Sequence, residues 1–98
     1  MADIKISPVI RWFPDADRKY LIIEIELPGV KKENIRFVLY ENSFFVNAIK
    51  EGVNYMGSYV LPREVKPEKA SGQYYEGLLK ILVPYKEPFE EGIELKIE

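Results

Sequence analysis

Cysteine and histidine are both absent from the 98 residues. The first absence removes disulfides and thiolate nucleophiles; the second removes the side chain that most often serves as a general base near neutral pH, and together they remove the usual zinc sites. Carboxylate or lysine catalysis remains chemically open. No glycine-rich phosphate loop or nucleophile motif accompanies it, and Glu24 and Glu26 lie on one solvent-facing strand face, so the chain reads as a non-enzyme that needs no cofactor and no metal. An excess of one charge is also missing. Fourteen basic and sixteen acidic side chains leave a net charge of −2, which provides no field to draw in nucleic acid or an anionic membrane.

No stretch approaches the roughly 20 apolar residues that span a bilayer, and Met1 to Pro8 lacks a basic region followed by an apolar run. The expectation is a soluble, unexported protein of the cytoplasm, where a disulfide-free chain is at home. Glutamine is nearly absent, with one against 13 Glu and 10 Lys, a balance that leans toward a thermophilic source.

Hydrophobic residues make up 47% of the chain and charged residues 31%, enough to bury one core and too apolar for disorder. Their dominant period is two, the spacing of strands with one face inward. From Tyr20 to Leu27 the residues Leu21, Ile23, Ile25 and Leu27 share a face, and Pro28-Gly29 ends the run. Ile35, Phe37 and Leu39 repeat the pattern; after Glu41-Asn42-Ser43 it returns in Phe44, Val46 and Ala48. A turn at Glu51 to Asn54 leads to a strand from Tyr55 to Leu61. Two prolines between Pro62 and Pro67 exclude a long helix there. Ala70 to Tyr75 and Leu78 to Val83 form a hairpin around Glu76-Gly77, and Val9 to Phe13, between Pro8 and Pro14, is an edge strand. These short strands predict an all-β fold, an antiparallel β-sandwich over residues 1–84, followed by a C-terminal tail over 85–98.

The order of the turns resembles that of the small heat-shock protein, or α-crystallin, family. Glu26-Leu27-Pro28-Gly29-Val30 is similar to its Leu-Pro-Gly-Val turn, Tyr59-Val60-Leu61-Pro62 to its aromatic-x-Leu-Pro strand end, and Asn42-Ser43-Phe44-Phe45-Val46 to the turn into its next strand. Gly72 to Leu79 matches the Ala-x-x-x-Asn-Gly-Val-Leu signature with Gly for Ala, Glu for Asn and Leu for Val. The resemblance spans about Pro8 to Pro84. It implies an immunoglobulin-like sandwich of the α-crystallin type and a chaperone that binds partly unfolded client proteins without ATP, as a holdase in the stress response. Three features depart from the family pattern: only Lys50 to Asn54 stand where a longer dimer-forming segment is usual, Gly57 replaces an arginine, and no long N-terminal arm precedes the domain. The short connection and the Pro8-Val9-Ile10-Arg11-Trp12 start resemble instead the CS-domain co-chaperones, which dock on a larger ATP-driven chaperone. That adaptor role is the alternative. A monomer or small oligomer, foremost a homodimer through sheet edges or tails, is expected in either case.

Ile93-Glu94-Leu95-Lys96-Ile97 resembles the family's Ile-x-Ile tail motif, which implies a tail whose Ile93, Leu95 and Ile97 enter a groove. The resemblance places that groove, for client or tail, between the strands of Ile35 to Tyr40 and Ala70 to Tyr75, with Ile35, Phe37, Leu39 and Tyr74 as its lining. A last strand at Ile93 to Ile97, with Ile35, Phe37 and Leu39 as ordinary core, is the competing reading. Tyr40, Phe45, Tyr55, Tyr74, Tyr75, Leu78, Leu82 and Tyr85 exceed what the inner faces need, so some are expected on the surface, where apolar side chains hold clients with little sequence demand. The acids Glu87, Glu90, Glu91, Glu94 and Glu98 lack the pattern of a calcium loop and read as solvated surface.

Overall fold

Alternation of aliphatic and polar residues forces one face of each strand inward, and two such faces close on each other as two four-stranded sheets. The computed structural model describes residues 4–87 and 93–98; Glu90 and Glu91 of the acidic group lie outside them. The strands are β1 (Ile4–Ile6), β2 (Val9–Pro14), β3 (Tyr20–Glu26), β4 (Ile35–Leu39), β5 (Ser43–Lys50), β6 (Val53–Val60), β7 (Ser71–Tyr75) and β8 (Leu78–Pro84). Sheet A runs β1-β6-β5-β4 and sheet B runs β2-β3-β8-β7. Single 3-10 turns at Lys32–Asn34 and Pro67–Lys69 are the helical elements among the described residues.

The shared core is the set of inward positions: Leu21, Ile23 and Ile25 of β3, Phe44, Val46 and Ala48 of β5, and Leu79, Ile81 and Val83 of β8 are all buried. Each fully buried aliphatic side chain contributes roughly 1.5–3 kcal/mol before conformational entropy is subtracted. At one end of the core Trp12 meets Phe44 edge-on at 5.8 Å, and Phe44 is stacked between Phe37 at 5.5 Å and Tyr59 at 5.2 Å. The β7–β8 hairpin closes through Glu76 and Gly77, both with positive φ (48° and 84°), the mirror-image turn whose twist suits a two-residue loop.

Two features differ from the sequence expectation. The β5–β6 connection is shorter than Lys50 to Asn54: Lys50 pairs with Val53, leaving Glu51-Gly52 alone in the turn. Asn54 belongs to the strand, paired opposite Ile49, and its side chain accepts a hydrogen bond from Asn47 Nδ2 at 2.5 Å. The second is β1, a strand in a segment with too few residues to show a period. It pairs with β6 in parallel, so sheet A is antiparallel everywhere else.

Of the surplus apolar residues, Tyr55 and Tyr85 are buried, whereas Tyr40, Tyr75 and Leu82 are exposed. Tyr85 continues past β8 as an isolated bridge to Val65, with the Arg63 guanidinium 4.3 Å from its ring centre. Lys86 anchors the start of the tail through Glu64 at 3.4 Å and Glu41 at 3.6 Å. Residues 93–98 form no strand, and Ile93, Leu95 and Ile97 are exposed, so the tail is not a last strand of the sandwich.

Candidate functional site

Where β4 of sheet A and β7 of sheet B face each other, a groove of about 240 Å³ opens, lined by Lys32, Ile35, Gly72, Gln73, Tyr74 and Leu79. It continues toward Tyr75 as a wider hollow of about 380 Å³. Local sequence builds each wall. The 3-10 turn at Lys32–Asn34 delivers Ile35 to the start of β4, and the tight turn at Glu76-Gly77 sets Tyr74 opposite Leu79 and Gly72 opposite Ile81. Gly72 carries no side chain to fill the space; a Cβ there would stand 2.8 Å from the Ile81 Cδ1 methyl.

Tyr74 is the fixed part of this wall. Its hydroxyl lies 2.7 Å from the carbonyl oxygens of both Leu27 and Val30 and donates its one hydrogen to that pair. Lys50 Nζ donates to the Pro28 carbonyl at 2.7 Å, so the Leu27–Val30 turn is held from both sheets. Burial pushes the Tyr74 hydroxyl above the ordinary tyrosine value of 10.0, partly opposed by its bond to Val30 and reinforced by Tyr55, and it stays a neutral donor at physiological pH. The groove therefore has an apolar floor and walls, one charged side chain at the rim in Lys32, and an amide in Gln73. It can hold an extended apolar segment, and it presents no constellation of groups for bond-making chemistry.

Of the four residues expected to line it, Ile35 and Tyr74 do so. Phe37 and Leu39 lie farther along β4 and pack against the core, Phe37 on the ring of Phe44. Lys32, Gly72, Gln73 and Leu79 line it too, beyond the sequence expectation. The hairpin register around Glu76-Gly77 was the available signal for Gly72 and Leu79; nothing in the pattern marked Lys32 or Gln73. Ile93, Leu95 and Ile97 stand in solvent, 86%, 78% and 93% exposed, and are not among the residues that line this groove.

A profile of the Hsp20/alpha crystallin family matches residues 15–98. The chain belongs to that family. Among solved structures, this Hsp20 chain is similar to heat shock protein 16.0 from Schizosaccharomyces pombe, with 18% identity, a TM-score of 0.77, and coverage of 96% of this chain and 77% of that one. A mutant of hsp14.1 from Sulfolobus gives 22% identity and a TM-score of 0.71 over 82% of this chain and 79% of that one. A small heat-shock protein from Xylella fastidiosa gives 10% identity and a TM-score of 0.71 over 95% and 97%. No curated protein sequence matches the chain significantly. At these identities the neighbours fix the α-crystallin β-sandwich, and family membership carries the small heat shock protein chaperone role.

Proposed function

We propose that this Hsp20-family chain is an ATP-independent holdase that captures extended apolar segments of partly unfolded proteins in the β4–β7 groove. The observation that carries the reading is a groove walled by Ile35, Leu79 and the immobilised ring of Tyr74, open to solvent at the border of the core. Binding there competes with client–client association by mass action, so no nucleotide enters the cycle. Ile93, Leu95 and Ile97 of the tail fit the same groove chemically and act as competitors for clients. A reducing, hot cytoplasm suits the cysteine-free, Glu- and Lys-rich composition, and a homodimer is the assembly we assign.

Scattering by a heated client, with this protein at equimolar ratio and no ATP, tests the function. Suppression that ATP leaves unchanged is expected, and Ile35→Lys, which puts a charge on the groove wall, should weaken it several-fold while the domain stays folded. No suppression at several-fold excess, together with tight capture of an ATP-driven chaperone, transfers the assignment to the CS-type adaptor.

A further inference from the structure

Apolar segments prone to aggregate are commonly flanked by charged residues, so a groove that captures them meets charge beside the side chains it holds. Which sign it accepts is set by its own rim. Strand β7, Ser-Gly-Gln-Tyr-Tyr, carries no charge, and strand β4, Ile-Arg-Phe-Val-Leu, carries one, Arg36. The 3-10 turn ahead of β4 holds Lys32 and Glu33 side by side, and of these two Lys32 enters the lining. Lys32 borders both the groove and the wider hollow toward Tyr75, and Gln73 of β7 does the same.

Among the described residues neither of these two side chains is used by the fold. The Lys32 ammonium makes no ion pair and the Gln73 amide no side-chain hydrogen bond, whereas Tyr74 is bound to Leu27 and Val30 and Lys50 to Pro28. An ammonium and an amide NH2 are both donors. A carboxylate, with two accepting oxygens and a negative charge, is the side chain that takes hydrogen bonds from both at once, and its bond to the ammonium is charge-assisted.

We propose that the β4–β7 groove selects its clients by charge, holding apolar segments that carry an aspartate or glutamate side chain beside the captured residue. The apolar side chain lies on Ile35, Leu79 and Tyr74, and the carboxylate lies between Lys32 and Gln73. This rests on the capture function proposed above and narrows its clients to acid-flanked segments. A segment flanked by lysine brings like charge to Lys32, and one flanked by glutamine leaves the ammonium without a counter-charge. Lys32 is exposed, so the pair is a solvated one. The discrimination it provides is therefore about two- to fivefold at low salt, and it shrinks in 1 M salt, where the screening length is about 3 Å. Apolar contact supplies most of the affinity; the sign of the flank decides between segments of equal hydrophobicity.

The test uses short peptides, capped at both ends so that no terminal charge contributes, in which two alternate leucines are flanked by glutamate, glutamine or lysine. The isotope-labelled full chain is titrated with each, and backbone amide shifts report affinity and place together. Saturable shifts at Ile35 and Gly72–Tyr74 are expected, tightest for glutamate and weakest for lysine. High salt should compress that order and Lys32→Glu should reverse it. The 3-10 turn of Lys32 buries no residue, so the variant should keep its fold, which a melting curve checks. If it unfolds, Lys32→Gln, which removes the charge without adding another, should abolish the order instead. Equal affinities, a preference for lysine, an order undiminished in 1 M salt or one that persists in the folded variant overturns the charge selection and leaves capture in the groove standing. Absence of shifts at Ile35 and Gly72–Tyr74 with every peptide overturns the groove reading, and the selection with it.

Discussion

On one side of the sandwich the chain passes from β1 in sheet A to β2 in sheet B with only Ser7 and Pro8 between, and Pro8 is buried in the crossing. On the other side β4 and β7 face each other with no strand between them, and the groove opens there. The stapled side is closed by aromatic packing: Trp12 on Phe44, Phe44 on Tyr59, with Tyr59 folded over Gly57. The open side is held by polar bonds from Tyr74 and Lys50 to the Leu27–Val30 turn. Packing resists deformation and leaves nothing to bind. A hydrogen-bonded frame around an apolar hollow keeps its shape while its floor stays accessible, which is why the capture surface proposed above lies on the open side.

Removing the packed side should therefore cost most. Phe44→Ala, at a residue 1% exposed with three aromatic neighbours, is expected to destabilise by about 3–5 kcal/mol in urea unfolding. A loss under about 1 kcal/mol would show that the aromatic cluster does not close that side.

Two glycines give a matched comparison. An added Cβ at Gly57 would overlap the Tyr59 ring, 2.6 Å from Cε2, and force it off Phe44, so Gly57→Ala should cost about 1–3 kcal/mol. At Gly72 the Cβ meets the end of a flexible side chain, Ile81 Cδ1. Gly72→Ala should cost less than about 1 kcal/mol, yet narrow the groove and weaken client capture. Equal thermal shifts for the two would erase the distinction between the sides.

Tyr74→Phe removes the donor from the Leu27 and Val30 carbonyls and should cost about 1 kcal/mol. The same residue gives a pH signature. Burial raises Tyr74 and Tyr85 above 10.0; for Tyr85 the Arg63 charge partly offsets it and Asp15 adds to it. With folded values above the unfolded one, the unfolded chain loses these protons first. Stability should thus be unaffected by these groups below pH 10 and fall as pH rises beyond it. The double variant Tyr74→Phe, Tyr85→Phe should show a shallower alkaline decline, and an unchanged slope would count against the burial of both hydroxyls. The smallest effect is expected on the outer face of sheet B, where Arg11 meets Glu24 at 3.0 Å with the arginine 60% exposed. Arg11→Ala should change the melting free energy by about 0.5 kcal/mol or less, and by still less in high salt.

Periodicity by itself determined the long strands, because alternation along Tyr20 to Leu27 has one solution once a core must be buried: the four residues placed inward are each 1% exposed or less. Turn chemistry determined the breaks in the same local way, through Pro28-Gly29 where the chain leaves sheet B for sheet A and through the Glu76-Gly77 hairpin turn. The ordered turns from Leu27 to Leu79 also carried the family, and with it the two strands that border the groove. Only tertiary structure decided what the groove is made of. Phe37 and Leu39 share a strand face with Ile35, yet the aromatic end of the core takes them and the open side takes Ile35, a choice made by distance across sheets and invisible along one strand. Lys32 and Gln73 enter the lining because two separate edges converge on them. Strand β1 lay beyond sequence for a related reason: three residues carry no period, and Ile4–Ile6 become a strand through the unguarded β6 edge beside them.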